Sequence, residues 1–160
     1  MDKILESKIT SYLLDNNLKI ATVESCTGGL LSSTFTDISG SSNFIELNLV
    51  TYSNEAKQKM LKVNENTLLK HGAVSEECSF EMAKGLYELT NANICISTTG
   101  IAGPTGGSPE KPVGLMYSTI FTLQKSKTYK ILLNSDTPRI LMKQLFVKEV
   151  LKNLSHFLEL

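Results

Sequence analysis

The sequence predicts an α/β fold, a three-layer α/β/α sandwich built on a mixed sheet. Apolar stretches of strand length alternate with segments whose apolar residues recur at helical spacing, which is typical of an α/β domain. Two strand-like segments stand in hairpin relation late in the chain, and an antiparallel pair makes the sheet mixed. We expect residues 1–160 to form one domain, long enough to bury a hydrophobic core without stabilising disulfides or metal ions.

The first third of the chain predicts one helix, two strands and the helix between them. Apolar residues at helical spacing cover 2–16, and a strand follows at 18–24. A glycine pair then opens a helix over 27–36. Turn-forming residues at 36–42 lead into a second strand at 43–52, where aliphatic and aromatic residues alternate.

The middle of the chain predicts three helices and a third strand. Two short helices are expected at 55–62 and 65–71, each after an asparagine that can cap it. Ser75 begins a longer helix, and the third strand follows at 92–99. The apolar residues on one face of that longer helix are Cys78, Met82, Leu86 and Leu89.

The last third predicts a long glycine- and proline-containing loop at 100–112, strands at 113–123 and 127–133, and a final helix at 138–158. Helical spacing predicts that this final helix buries Ile140, Val147, Val150, Leu151, Leu154, Phe157 and Leu158.

Composition argues against several classes of partner. Sixteen basic and sixteen acidic residues cancel without forming runs, so neither nucleic acid nor an anionic membrane is an expected partner. The odd, widely spaced cysteines, Cys26, Cys78 and Cys95, fit reduced thiols in the cytoplasm. His71 and His156 belong to no ligand-like cluster, so we expect no metal.

Small polar residues and two glycines follow the first strand at 24–29. Ser25 could act as a nucleophile there, with the backbone N–H groups of Thr27, Gly28 and Gly29 holding an oxyanion. Ser25 equally fits a helix N-cap in a tight turn. Cys26 is better explained as a small packed residue, because no histidine lies within sequence reach to activate it.

Lys57 is the candidate base for that serine, because the chain offers no suitable histidine. Burial could lower its pKa towards neutrality, and its helix starts where a strand ends, at the strand edge where α/β folds concentrate function. A solvated helix lysine is the alternative. Tyr52 could hydrogen-bond to the serine or the lysine, or could be a half-buried tyrosine at a strand end.

The loop that starts at Thr98 carries four glycines by residue 107, and its many free N–H groups suit a phosphate or ribose contact. It lacks the lysine-serine ending of a Walker loop and the spacing of the dinucleotide fingerprint. A plain connector is the alternative, although loops this long inside compact domains are more often functional.

Together these segments resemble the CinA C-terminal domain family, the nicotinamide-nucleotide amidohydrolases. The matching blocks are ESCTGG at 24–29, GSS at 40–42, VTYSNEAK at 50–57, HGAVS at 71–75, TGIAGP at 99–104 and EKPVG at 110–114. The resemblance implies a stand-alone, cytoplasmic homodimer. The implied reaction hydrolyses the carboxamide of nicotinamide mononucleotide, without a metal or organic cofactor, to nicotinate mononucleotide and ammonia.

The resemblance also implies roles for individual residues. Ser25 would be the nucleophile and Lys57 its base, and Tyr52 and Thr99 would assist through hydrogen bonds. The substrate and its oxyanion would be bound by turns that contain Thr27, Gly28, Gly29, Gly100 and Gly103.

The chain departs from the family pattern after its last strand. Relatives usually carry two arginines there, which suit a phosphate, whereas Thr137 and Leu141 occupy those positions here. Arg139 or Lys143 could compensate, Arg139 from a different helical face. Asn48 also replaces a common glycine. Two alternatives therefore stay open: an amidohydrolase with a different amide substrate, and a catalytically silent nucleotide-binding module.

Overall fold

The computed structural model describes residues 3–160 and confirms the mixed sheet. Strand β1 (Ile20–Glu24) lies between β2 (Ile45–Val50) and β3 (Ile94–Gly100), and these three strands are parallel. Strands β4 (Leu115–Phe121) and β5 (Ser126–Leu132) continue the sheet antiparallel, in the order β2-β1-β3-β4-β5. The carboxyl ends of the three parallel strands therefore meet at one edge.

Within residues 3–160, six α-helices connect or cover these strands, and one 3₁₀ turn at Ser41–Asn43 precedes β2. The helices of the described chain are α1 (Lys3–Asp15), α2 (Leu30–Thr36), α3 (Asn54–Leu61), α4 (Glu65–His71), α5 (Glu76–Thr90) and α6 (Arg139–Phe157). The first predicted helix agrees with α1 from Lys3 onwards, while residue 2 lies outside the described residues.

Two hydrophobic cores lie on opposite faces of the sheet, which makes the three layers. Helices α1, α2 and α6 pack on one face, and α3 and α5 pack on the other. Side chains along a strand alternate between the faces. Ile94 and Ile96 accordingly join the first core, while Cys95 joins the second.

Three details differ from the sequence prediction. Helix α2 begins at Leu30 instead of residue 27, because Gly28 and Gly29 adopt positive φ values of 63° and 94° that an α-helix cannot contain. Ile140 is 76% exposed, because it lies in the first turn of α6, ahead of the residues of that helix that are buried from Met142 onwards. Leu89, near the end of α5, is 51% exposed.

No helix within residues 3–160 combines the length and the apolar character needed to cross a bilayer.

Candidate active site

The candidate active site lies where the three parallel strands end. β1 leads into the turn that carries Ser25, β2 leads through residues 51–53 into α3 with Lys57, and β3 ends with Thr99. The chain leaves β1 towards β2 and later returns on its other side at β3, so a crevice opens beside β1, as α/β folds require. A pocket of about 270 Å³ occupies that crevice. Its lining residues include Ser25, Cys26, Tyr52, Lys57, Ala73, Val74, Thr99, Gly100, Gly103 and Arg139.

Ser25 and Lys57 meet at the base of the pocket. Lys57 Nζ lies 3.2 Å from Ser25 Oγ, 2.8 Å from the carbonyl oxygen of Thr51 and 3.3 Å from that of Tyr52. Ser53 caps α3 by accepting a hydrogen bond from the Ala56 N–H, and this cap fixes the helix turn from which Lys57 projects. The predicted serine–lysine pair is therefore within hydrogen-bond distance.

Lys57 is buried, with only 1% of its surface exposed, and it forms no ion pair with any Asp or Glu in residues 3–160. Burial lowers the pKa of its amine, because desolvation disfavours the ammonium form. A neutral amine can donate to the two carbonyl oxygens while its lone pair accepts the Ser25 O–H. This arrangement suits proton removal from the serine.

Two of the three oxyanion donors that the sequence predicts in the glycine turn, the N–H groups of Gly28 and Gly29, are engaged within the protein. The Gly28 N–H donates to the carbonyl oxygen of Ser25, and the Gly29 N–H donates to the Glu24 carboxylate. Neither glycine lines the pocket in the described chain, nor does Thr27, whose hydroxyl bonds to that of Thr98 at 2.8 Å. The N–H groups of Gly28 and Gly29 stabilise the turn, and the substrate contacts expected of these two glycines stay a prediction.

Other backbone donors remain free around the serine. Within residues 3–160, the N–H groups of Thr27, Ala102 and Gly103 donate to no protein acceptor. Ala102 and Gly103 line the pocket itself. Free N–H groups near a nucleophile are the donors that a tetrahedral oxyanion needs.

Cys26 lines the pocket beside Ser25 but is not activated. Burial raises the pKa of its thiol to about 12, so the thiol stays protonated at neutral pH. This agrees with the expectation of a small packed residue.

Tyr52 and Arg139 form the rim of the pocket. The Tyr52 side chain is 62% exposed, and its hydroxyl accepts a hydrogen bond from Arg139 Nη2 at 3.1 Å. Arg139 Nη1 donates to the carbonyl oxygen of Gly103 at 2.6 Å. The Tyr52 hydroxyl is thus bonded to Arg139 instead of the serine or lysine, and Tyr52 reaches Lys57 only through its backbone carbonyl.

Thr99 holds one wall of the pocket in place. Its hydroxyl donates to the carbonyl oxygen of Ala73 at 2.7 Å, which holds the turn between α4 and α5 against β3. Ala73 and Val74 then form an apolar wall that reasoning from single residues missed. The only sequence signal for this wall was the motif block at 71–75. Small apolar residues in a turn carry no chemistry of their own, so Ala73 and Val74 do not stand out one by one.

Gly100 and Gly103 line the pocket and also allow close packing there. A Cβ at Gly100 would lie 2.6 Å from the carbonyl oxygen of Leu115, and one at Gly103 would lie 2.5 Å from a Val113 methyl group. No group of three or more His, Cys, Asp and Glu side chains suited to a metal occurs within residues 3–160.

Comparisons with known proteins point to one family. A family model described as the CinA C-terminal domain matches residues 2–158. A CinA-like protein of Thermotoga maritima is 50% identical over 120 residues, which are 75% of this chain and 29% of that protein. The chain spans about a third of the length of the curated relatives it matches.

Solved structures agree along nearly the whole chain. The competence/damage inducible protein of Agrobacterium tumefaciens is 36% identical with a TM-score of 0.91, covering 94% of this chain and 92% of that one. The competence damage-inducible protein A of Klebsiella pneumoniae is 31% identical with a TM-score of 0.92, covering 98% and 96%.

Proposed function

The chain belongs to the CinA C-terminal domain family, and on this basis we propose that it hydrolyses the carboxamide of nicotinamide mononucleotide to nicotinate mononucleotide and ammonia. The observation that carries the proposal is the 3.2 Å contact between Lys57 Nζ and Ser25 Oγ at the base of a pocket. A buried lysine with a lowered pKa can activate a serine without histidine.

The proposed reaction has two halves. Neutral Lys57 removes the Ser25 proton while Oγ attacks the amide carbon, and free backbone N–H groups stabilise the oxyanion. The Lys57 ammonium then protonates the amide nitrogen, the C–N bond breaks and ammonia leaves an acyl-enzyme. Lys57 next deprotonates a water molecule that attacks this ester. The ester C–O bond then breaks, the Lys57 ammonium returns the proton to Ser25 Oγ, and the acid product leaves as its carboxylate with a proton released to solvent.

The residues that line the pocket favour a substrate that is an aromatic amide with an anionic group at its other end. Ala73 and Val74 offer an apolar surface to a planar ring above the serine. Arg139 stands at the rim, held by Tyr52 and Gly103, and forms no ion pair with an acid in residues 3–160. An unpaired guanidinium at a pocket rim suits a phosphate. We therefore assign to Arg139 the binding of the phosphate, the role that suits the two arginines replaced here by Thr137 and Leu141.

The test is ammonia release from nicotinamide mononucleotide by the purified protein, with Ser25→Ala as the control. We expect turnover that Ser25→Ala abolishes while its circular dichroism spectrum stays unchanged. A variant that keeps most of the activity would remove the nucleophile assignment. No release by a folded wild-type protein would contradict the proposed substrate.

A second candidate, an amidohydrolase for an unphosphorylated amide, is favoured by Thr137 and Leu141 at the usual arginine positions. Nicotinamide riboside assayed alongside separates the two. We expect Arg139→Ala to raise KM for the mononucleotide roughly tenfold or more, the effect of one lost charge-assisted contact, and to leave the riboside unaffected. Equal turnover of both amides by the wild type would favour the second candidate.

The proposal includes a homodimer in the cytoplasm, as the family resemblance implies. Light scattering of the purified protein measures the first part directly: twice the chain mass is expected, and a monomeric mass would contradict it.

A further inference from the structure

Glu24, the last residue of β1, is a fully buried carboxylate with 0% exposure. Oε2 accepts hydrogen bonds from the N–H groups of Gly29 and Leu31 at 3.0 and 3.1 Å. Oε1 accepts from the N–H and hydroxyl of Ser32 at 2.8 and 2.6 Å. No cationic side chain in residues 3–160 forms an ion pair with this carboxylate. The four hydrogen-bond donors therefore replace the solvation that it loses on burial.

The Glu24 side chain holds the turn that carries the nucleophile. Ser25 directly follows Glu24, and the chain then reverses through Gly28 and Gly29 into α2. Because the carboxylate binds the first N–H groups of α2, it closes residues 24–32 into one compact loop. The Ser25 N–H donates to the Thr98 carbonyl oxygen at 3.1 Å, which fixes the other side of the turn to β3.

The Glu24 backbone also reaches the lysine. Its carbonyl oxygen accepts the Thr51 N–H at 2.9 Å, and the Thr51 carbonyl oxygen accepts from Lys57 Nζ at 2.8 Å. One residue therefore touches both chain segments that bring Ser25 and Lys57 together.

The carboxylate also ties this loop to the edge strand through side chains. The Ser32 hydroxyl lies 2.8 Å from that of Thr22, and the Thr22 hydroxyl lies 2.7 Å from the side-chain amide of Asn48. Asn48 lies in β2, so the network reaches the strand that leads to Lys57. The network links the strands that precede the serine and the lysine.

We propose that Glu24 is a positioning residue that holds Ser25 at hydrogen-bond distance from Lys57, acting through the 24–32 loop and Thr51. The inference rests on the proposed serine chemistry. Glu24 lies behind the turn and does not line the pocket in the described chain, so it touches no substrate. Its loss should therefore slow the serine step without weakening substrate binding.

The test uses Glu24→Gln, which keeps the shape but turns an amide NH₂ towards N–H donors. We expect kcat for ammonia release to fall roughly 10- to 100-fold, the scale of a misplaced reacting group, with KM changed by less than about twofold. A fluorophosphonate probe measures Ser25 reactivity without the amide, and its labelling rate should fall by a similar factor. Ser25→Ala is the blank for this labelling.

Glu81→Gln is the matched control. The Glu81 carboxylate likewise accepts hydrogen bonds, from the Asn64 N–H at 2.7 Å and the Thr67 hydroxyl at 2.6 Å, but it joins α4 to α5 away from the serine. We expect Glu81→Gln to change the melting temperature of the protein, while the rate at which the fluorophosphonate labels Ser25 stays at the wild-type value. All rates are compared at temperatures where circular dichroism shows each variant folded.

The outcomes separate this inference from the proposed function. A folded Glu24→Gln variant with wild-type labelling and kcat, or one with only KM raised, would overturn the positioning role. Labelling of the wild type that slows in Glu24→Gln, without ammonia release from the nucleotide, would support positioning and contradict the substrate. If Glu24→Gln does not fold, Ser32→Ala decides: slower labelling is expected, and a wild-type rate would overturn the inference.

Discussion

At the residue scale, Lys57 combines burial with the absence of a counter-charge. The partners of its amine are two carbonyl oxygens and a hydroxyl, so no opposite charge within bonding distance offsets the cost of burying an ammonium. The neutral form is favoured for that reason, and the lowered pKa follows. The burial that disfavours the charged form of Lys57 is also what suits this lysine to its proposed role as the base.

We predict that kcat/KM rises with pH as Lys57 loses its proton, with a midpoint below the ordinary lysine value of 10.5. Lys57→Met and Lys57→Arg should both lose roughly a hundredfold or more in kcat, because neither side chain can accept the serine proton. A pH profile of ammonia release measures this. Retained activity in Lys57→Arg would move the base elsewhere.

The lowered pKa also couples Lys57 to stability. Between the folded pKa and 10.5 the unfolded chain binds more protons at this site than the folded chain does. The free energy of unfolding from this group therefore increases with pH across that window. Lys57→Met should remove this increase in chemical denaturation measured at several pH values, whereas exposed Lys59→Met should retain it.

At the scale of elements, α3 is held in place by α5, and Gly85 makes their close approach possible. A Cβ at Gly85 would lie 2.1 Å from the carbonyl oxygen of Leu61, the last residue of α3. Helix α3 carries Lys57, so this packing determines how far the amine reaches. A glycine in mid-helix costs helix stability, and the contact with Leu61 accounts for it.

We predict that Gly85→Ala lowers the free energy of unfolding by about 1–3 kcal/mol, because the added methyl group forces α3 and α5 apart. It should also reduce kcat by displacing Lys57. The control is Lys84→Ala, which removes only an exposed ion pair with Glu88 and should cost less than about 0.5 kcal/mol. Equal denaturation midpoints for the two variants would contradict the packing argument.

At the scale of the whole molecule, one sheet has a core on each face, and the candidate site lies at the carboxyl ends of its parallel strands. The strand order puts β1 in the middle of the parallel set, so the connections on both sides contribute to the pocket. Because both cores share the same strands, neither layer can lose its packing without affecting the other. Unfolding should therefore be a single cooperative transition.

We predict that Phe146→Ala, in the first core, lowers the free energy of unfolding by about 3–5 kcal/mol, and Met82→Ala, in the second, by about 2–5 kcal/mol. Each variant should still show one transition by fluorescence and circular dichroism. Ile140→Ala is the control, because that exposed side chain should change stability by less than about 0.5 kcal/mol. Two separate transitions would show that the layers unfold independently.

The sequence by itself determined the helices and strands and pointed to the residues that we propose carry the chemistry. Hydrophobic spacing predicted the strands and helices to within a few residues, and motif order pointed to Ser25 and Lys57 as a pair. Such features are local: they depend on side-chain periodicity or on short runs of special residues, which can be read along the chain.

Only the tertiary structure decided how the site's polar groups are partnered. The Gly29 N–H donates to Glu24, the Tyr52 hydroxyl pairs with Arg139, and Thr99 holds Ala73. These contacts join residues that lie 5, 26 and 87 positions apart along the chain, and spacing does not encode which acceptor each donor reaches. The exposure of Ile140 was decided in the same way, because helical spacing assigns a face to a residue but cannot say where along the helix burial begins.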